Sequence, residues 1–165
     1  MNKESKTTIE NEELMESRLE QILNDALIKA TDTYSVPPQI IWVDNSTIAT
    51  LGNFSASTGK AKAKKTFNVS ALVAASLSNG TVLNYRACLP EGKRRILYVD
   101  TEQSRYHCHN VLARILKLAG LPTDMDNQNL DFIGLREYTP AIRMEVIDYA
   151  LAHNHGYGLV IIDGI

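Results

Sequence analysis

The sequence predicts an α/β fold in which helices cover both faces of a mostly parallel sheet, giving three layers. Apolar segments at 94–100, 130–135 and 157–165 lack the in/out alternation of a half-exposed strand. Strands that are buried on both faces give such continuous apolar runs. Segments with helical periodicity separate them, and this order of strands and helices is typical of a parallel sheet.

Composition favours one globular domain. The chain has 165 residues, of which 44% are hydrophobic and 22% charged, with a net charge of −2. These values exclude a disordered or fibrous chain and give no overall basic field toward nucleic acid. Two cysteines are too few for a disulfide scaffold, the N-terminus lacks the apolar core of a signal peptide, and no apolar run approaches the ~20 residues that span a bilayer. We therefore expect a cytoplasmic protein with no membrane residence.

The first 38 residues are predicted to form a helical arm followed by a proline linker. One apolar stripe at helical spacing comprises Met15, Leu19, Ile22, Leu23 and Ala26. Pro37 and Pro38 cannot continue a helix, because they lack backbone donors and favour an extended residue before them. Residues 39–165 would then form the main domain.

Within the main domain, strands are predicted at 39–43 and 47–56, followed by a helix at 65–77 that Asn79-Gly80 ends. A strand at 94–100 precedes a helix from about 104 to 119, which buries Cys108, Val111, Leu112 and Ile115 and stops at Gly120. After a strand at 130–135, Thr139 caps a helix that begins with Pro140 and has an apolar stripe of Ile142, Val146, Tyr149 and Ala150.

The last apolar run, Leu159-Val160-Ile161-Ile162, is predicted to be a buried central strand. Natural domains rarely stop at such a strand, because its next connection and neighbouring strands are then missing. The sequence therefore predicts a truncated chain.

The segment "GKAKAKKT" at 59–66 raises the question of a phosphate-binding loop. Such a loop needs a Gly-Lys pair, a following Ser or Thr hydroxyl for Mg²⁺, and the N-terminus of a helix. With Lys60 as the phosphate lysine, Ala61 would occupy the hydroxyl position, so that register fails. With Gly59 as the first glycine, Lys65 and Thr66 fit, and Lys64 replaces the second glycine.

The local motif leaves two interpretations open. One is a solvated basic start of a helix, although cations there oppose the helix dipole. The other is a phosphate site. Context favours the second: an apolar strand ends in Asp163, and another carries Asp100 and Glu102 at its C-terminal end. In an open parallel sheet, ligands bind at the carboxyl ends of strands, where Thr66, Glu102 and Asp163 would converge.

"GKAKAKKT", "ILYVDTEQ" and "LVIIDG" resemble the Walker A, catalytic-glutamate and Walker B elements of RecA-like P-loop ATPases, the group that includes hexameric DnaB- and RepA-type helicases. The resemblance is closest to AAA-family ATPases carried on mobile elements of Bacteroides-type bacteria, whose phosphate loops tolerate a basic residue at the glycine position. It covers roughly residues 40–165 and implies a RecA-like fold for this region.

The resemblance also implies residue roles, with ATP and Mg²⁺ as cofactors. Lys65 would contact the phosphates, Glu102 would polarise the attacking water, and Thr66 and Asp163 would hold the metal. The nucleotide-binding segment would comprise Gly59, Lys60, Ala61, Lys62, Ala63, Lys64, Lys65, Thr66 and Phe67. The arginine finger and DNA-binding loops of such enzymes would lie beyond Ile165, so the fragment alone is not expected to be a complete enzyme.

The implied function is ATP hydrolysis coupled to DNA remodelling, as in a replicative helicase or mobilisation ATPase. A homo-oligomer is implied, with a hexamer open to the full-length protein and DNA open as a partner. Two other functions remain: a regulator that binds nucleotide without useful turnover, and a basic α/β interaction module without nucleotide.

Two other signals are weaker. "YHCHN" and "AHNHG" place His107, Cys108, His109, His153 and His155 close in sequence, but i and i+2 side chains diverge on a helix and no further spacing matches a zinc site. We expect ordinary surface and core histidines. Asp100 is either a second metal or structural carboxylate or a cap of the turn before the next helix.

Overall fold

The computed structural model of the protein describes residues 3–58 and 64–164. In these residues the elements are α1 (Lys3–Ala26), β1 (Gln39–Val43), β2 (Ser46–Thr50), α2 (Lys65–Ser78), β3 (Thr81–Val82), β4 (Tyr85–Ala87), β5 (Arg95–Asp100), α3 (Arg105–Leu118), β6 (Leu130–Gly134), α4 (Pro140–His153) and β7 (Tyr157–Asp163). The chain divides into two compact units, Met1–Val36 and Pro37–Ile165.

The first unit contains the predicted N-terminal helix, α1. The apolar side chains at Met15, Leu19, Ile22 and Leu23 are all exposed. None of the helices in the described part of the chain is long and apolar enough to cross a membrane.

The second unit contains two sheets, where the sequence predicted one mostly parallel sheet. The first is antiparallel, with the strand order β2-β1-β4-β3. Asp44, in the turn between β1 and β2, has a φ of 50°. A connection this short can join only antiparallel neighbours, because parallel strands need a crossover of a dozen or more residues. The predicted strand at 47–56 is also too long, since β2 ends at Thr50 and residues 53–58 are irregular.

The second sheet is parallel, with the order β6-β5-β7. Its central strand, β5, contributes alternate residues to two cores. Ile96 and Tyr98 lie in a cluster with residues of α2, α3 and the antiparallel sheet, whereas Leu97 and Val99 pack with Ile147 and Ala150 of α4. Helices therefore cover both faces of the parallel sheet, as the continuous apolar runs predicted.

The last apolar run forms β7, and its predicted place at the centre of the sheet of a longer chain stays a prediction. β7 pairs with β5 alone and forms an edge of the sheet. Val160 and Ile162 are 38% and 49% exposed.

Two predicted helices, α2 and α3, begin and end close to their expected positions. α2 ends at Ser78, and the next residue, Asn79, takes a left-handed conformation with φ 50°. The N–H of Gly80 donates to the carbonyl of Ala75 at 3.0 Å. This is the pairing of a Schellman cap. α3 follows Ser104 and ends before Gly120, which has a φ of +71°.

The fourth helix has the predicted cap but a different buried face. The side chain of Thr139 accepts from the N–H of Ile142, and Pro140 is the first helical residue. Ile147 and Ala150 are buried, whereas Ile142 and Tyr149 are 41% and 63% exposed, so the predicted stripe is partly wrong. Apolar residues occur around most of this helix, and the sequence pattern therefore indicated the wrong face.

At the amino ends of the parallel strands, one polar cluster joins all three. Asp131 of β6 accepts from Arg95 of β5 at 2.6 Å and from the hydroxyl of Tyr157 of β7. Burial, followed by the hydrogen bond to Asp131, raises the pKa of Tyr157 to about 12. Tyr157 is therefore a protonated donor at neutral pH, and the cluster helps to fix the register of the sheet at the end opposite to the candidate site.

Candidate functional site

The candidate site lies at the carboxyl ends of the parallel strands. In the register of the sheet, Asp100 is the partner of Gly134 on β6 and of Asp163 on β7. Carboxyl ends of parallel strands meet at one edge, which is where ligands bind in open α/β sheets. The sheet therefore brings the two predicted acidic strand ends side by side.

Asp100 has a structural role at this edge. It is fully buried, and its Oδ1 accepts from the backbone N–H groups of Glu102 at 2.9 Å and Gln103 at 2.7 Å. Its Oδ2 accepts from Nε2 of Gln103 at 2.7 Å. These bonds satisfy the buried carboxylate and shape the turn between β5 and α3, as Asp does in an Asx turn. Of the two interpretations that the sequence left open, the structure favours the turn cap.

Asp163 is held by Tyr98. The Tyr98 hydroxyl donates to Oδ2 of Asp163 at 2.9 Å, and its ring stacks on Phe132 with 4.4 Å between centroids. Burial, then the negative charge of Asp163, raises the pKa of Tyr98 well above its ordinary value, so the hydroxyl stays a donor. The Asp163 carboxylate consequently has one oriented oxygen.

Glu102 lies on the turn that Asp100 shapes, and its residue is exposed. The preceding residue, Thr101, donates its N–H to the carbonyl of Asp163 at 3.0 Å. The side chain of Glu102 lies against the backbone of Gly164, the residue after Asp163. The structure thus brings together Glu102 and Asp163, which the sequence had placed on separate strands.

The basic segment reaches the described structure only at its end. Gly59, Lys60, Ala61, Lys62 and Ala63 lie outside the described residues. Lys64 is the N-cap of α2 and is left-handed, with φ 57° and ψ 28°. Non-glycine residues seldom adopt this conformation, which glycine adopts readily. The sequence departs from the phosphate-loop pattern at this residue, and the backbone there has the conformation that glycine would supply.

The first turn of α2 carries the other described members of the segment. Lys65 is exposed, Thr66 is half-buried, and Phe67 is exposed. The Thr66 carbonyl accepts from the Ser70 hydroxyl at 2.6 Å. In the described residues no hydrogen bond joins Thr66 to Glu102 or Asp163, and the predicted convergence of these three residues stays a prediction.

Sequence reasoning missed two residues that support the edge. One is Tyr98, for which the only signal was an aromatic residue within the aliphatic strand "RILYVD". The other is Arg143 of α4, whose guanidinium donates to the carbonyls of Leu135, Arg136 and Tyr138 at 2.8 to 3.0 Å. These bonds hold the loop after β6, where Leu135 also donates to the carbonyl of Asp100 at 2.7 Å.

The histidines form no metal cluster in the part of the chain that the structure describes, where no group of three or more His, Cys, Asp or Glu residues could hold an ion. His153 instead stacks on Tyr149, with 3.9 Å between ring centroids. Cys108 is buried in α3, and this burial raises the pKa of its thiol.

We expect replacement of Tyr98 by Phe to lower the unfolding free energy by about 1–3 kcal/mol at neutral pH, because Asp163 loses its donor. Above about pH 10 an unfolded tyrosine ionises while the folded Tyr98 keeps its proton, so the wild-type protein loses stability as the pH rises. The variant should lose less between about pH 9 and pH 11 in denaturant titrations. Tyr157 contributes the same trend and is retained in both proteins.

Tyr106→Phe provides the control, because Tyr106 is exposed on α3. Its stability should follow the wild-type pH curve. Parallel curves for wild type and Tyr98→Phe would contradict the interaction with Asp163.

Comparison of the chain with protein-family models, curated proteins and solved structures gives no match. The resemblance to RecA-like ATPases therefore depends on the three sequence motifs, and the candidate site is interpreted from its own geometry.

Proposed function

We propose that the chain is the nucleotide-binding part of a RecA-like P-loop ATPase, which binds Mg²⁺-ATP at the start of α2 and hydrolyses it with Glu102 as the base. The observation that carries the proposal is the left-handed conformation of Lys64, which stands where the Walker A pattern has glycine. A left-handed non-glycine residue costs roughly 1–2 kcal/mol. Glycine adopts this conformation without that cost, so the glycine of the pattern would fit the backbone found at Lys64.

The charge at the start of α2 supports an anionic ligand. Lys64 and Lys65 lie at the helix N-terminus, and the first turn has no acidic residue. The N-terminal end of a helix carries partial positive charge, so two ammonium groups there repel it. A bound phosphate would reverse the sign of this interaction, since the N–H groups and both lysines would then face negative charge.

The carboxyl edge supports the chemistry that we propose. Glu102 is exposed, as a group that orients a water molecule must be, and it lies near Asp163. Thr66 and Asp163 offer a hydroxyl and a carboxylate, which are the oxygen ligands that Mg²⁺ prefers. When bound, Mg²⁺ supplies charge neutralisation at the phosphate oxygens. Tyr98 holds one oxygen of Asp163, and Lys65 supplies a cation for the phosphates.

The coupling of hydrolysis to DNA remodelling, and assembly into a homo-oligomer such as a hexamer, are parts of the proposal that rest on the resemblance alone. The alternative of a regulator without turnover has one observation in its favour, because Lys64 brings a long side chain to a position where glycine lets the backbone approach the phosphates. Binding and turnover assays on the same protein separate these two functions.

We expect Mg²⁺-ATP to raise the melting temperature of the protein, because a ligand that binds only the folded state stabilises it by mass action. Lys65→Ala should abolish this shift, since Lys65 is the proposed phosphate lysine. Lys60→Ala is the matched control, with the same loss of one positive charge from the same segment, and should keep most of the shift. If Lys60→Ala abolished the shift in melting temperature and Lys65→Ala kept it, the assignment of Lys65 as the phosphate lysine would be refuted.

We expect Glu102→Gln to keep the affinity for Mg²⁺-ATP and to lower kcat by about 10²–10⁴, the usual contribution of a general base. Thr66→Ala should weaken Mg²⁺-dependent binding instead. Single-turnover hydrolysis and equilibrium titration measure the two effects. Hydrolysis by Glu102→Gln at the wild-type rate would show that Glu102 is only an acidic residue near the start of α3, where its charge favours the helix dipole.

A further inference from the structure

Gly164 lies directly after Asp163 at the end of β7 and has a φ of +92°. A Cβ built on it would lie 2.5 Å from Cγ of Glu102, 2.7 Å from Oγ1 of Thr101 and 3.0 Å from Cδ of Glu102. The space that a Cβ would need is therefore occupied by side chains of the turn that follows the neighbouring strand, β5.

We propose that Gly164 is a positioning residue for Glu102. The bare backbone of Gly164 lets the Glu102 side chain lie across the end of β7, beside Asp163, and limits the rotamers that Glu102 can adopt. This inference rests on the proposed function, because Glu102 has a catalytic role only there.

The surrounding contacts leave Glu102 as the part that must respond to a larger residue. Thr101 is buried, and its N–H is bonded to the Asp163 carbonyl, so its backbone cannot withdraw easily. The N–H of Glu102 is fixed by Asp100. The Glu102 side chain, by contrast, is a flexible chain with an exposed end, and a rotamer change would relieve the contact. A methyl group at Gly164 should thus move the Glu102 carboxylate, and it also requires the Thr101 hydroxyl to turn, because Oγ1 of Thr101 lies 2.7 Å from the Cβ position.

A different explanation is that glycine is needed at position 164 only because the backbone there has a positive φ. Gly120 separates the two explanations, because it has a φ of +71° with no heavy atom within 4 Å of its Cβ position. It lies at the far end of α3, about 20 Å from Ser104 at a rise of 1.5 Å per residue. Alanine at Gly120 therefore introduces similar backbone strain without the contact to Glu102.

The kinetic test compares Gly164→Ala with Gly120→Ala in the protein. For Gly164→Ala we expect kcat to fall by roughly 10–10²-fold with KM for Mg²⁺-ATP unchanged, since small displacements of a catalytic group have effects of this size. Gly120→Ala should keep the wild-type kcat. Equal kcat values for the two variants would overturn the positioning role.

The second test is a double-mutant cycle on stability, which does not depend on ATP. Glu102→Ala removes the Cγ and Cδ that a methyl group at Gly164 would meet. Gly164→Ala should therefore shift the denaturation midpoint less in the Glu102→Ala background than in the wild type, whereas Gly120→Ala should shift it equally in both. Equal shifts for Gly164→Ala in the two backgrounds would overturn the inferred contact.

The two tests distinguish the inference from the proposed function. If the wild-type protein shows no ATPase activity while the stability cycle shows coupling, the proposed function fails, and with it the catalytic purpose of the contact. If the wild type hydrolyses ATP and the cycle shows no coupling, the inference fails and the proposed function stands.

Discussion

The buried carboxylate of Asp100 is the interaction on which the geometry of the carboxyl edge depends. Asp100 ends β5, and its side chain accepts hydrogen bonds from the backbone N–H groups of Glu102 and Gln103 in the turn that follows. Its backbone carbonyl accepts from Leu135, so the same residue also holds the loop after β6. A buried charge that lost these donors would be costly, which makes the turn conformation stable. The direction in which Glu102 leaves the sheet follows from that turn.

Around Asp100, the sheet register brings the neighbouring strand ends into line. Asp163 is its cross-strand partner, and Tyr98 and Thr101 bond to the side chain and carbonyl of Asp163. Tyr98 and Thr101 are themselves buried. Glu102 differs, because it is exposed and is limited mainly by its contact with Gly164. An edge with rigid supports and one adjustable acid is well suited to orient a water molecule, which is the role we propose.

The start of α2 presents a different constraint, because its backbone conformation and its charges are both unfavourable without a nearby anion. A left-handed lysine costs conformational energy, and two lysines at a helix N-terminus lack a compensating acid within the first turn. Unfavourable local choices of this kind concentrate at functional sites, where a ligand offsets them.

Sequence reasoning predicted the helices of the second unit well because their ends carry specific signals. Asn79-Gly80, Gly120 and the Thr139-Pro140 pair each meet a backbone requirement that few other residues meet. It failed where the pattern carries no such information. A strand-like run does not show which strand it pairs with, so one mostly parallel sheet was expected, whereas β1 to β4 form a separate antiparallel sheet.

The candidate site shows the same division. Asp163 and Glu102 could be predicted because each follows an apolar strand, and strand ends are where parallel sheets bind ligands. The contacts of Tyr98 with Asp163 and of Gly164 with Glu102 could not, because they depend on which strand lies beside which. The hydroxyl of Tyr98 reaches Asp163 across 65 positions of sequence. The conformation of Lys64 was likewise hidden, since a lysine in sequence gives no indication of a positive φ.

The conformation of Lys64 is the central claim, and replacing that residue tests it most directly. Thermal unfolding and Mg²⁺-ATP titration of Lys64→Gly and Lys64→Val would give the answer. Glycine should raise the unfolding free energy by about 1 kcal/mol and keep nucleotide binding, because it adopts the left-handed conformation without strain. Valine should lower stability and abolish binding, because a β-branched residue is disfavoured there. If the valine variant were as stable as the wild type and bound Mg²⁺-ATP as tightly, Lys64 would not hold the left-handed position of a phosphate loop, and the account would be contradicted.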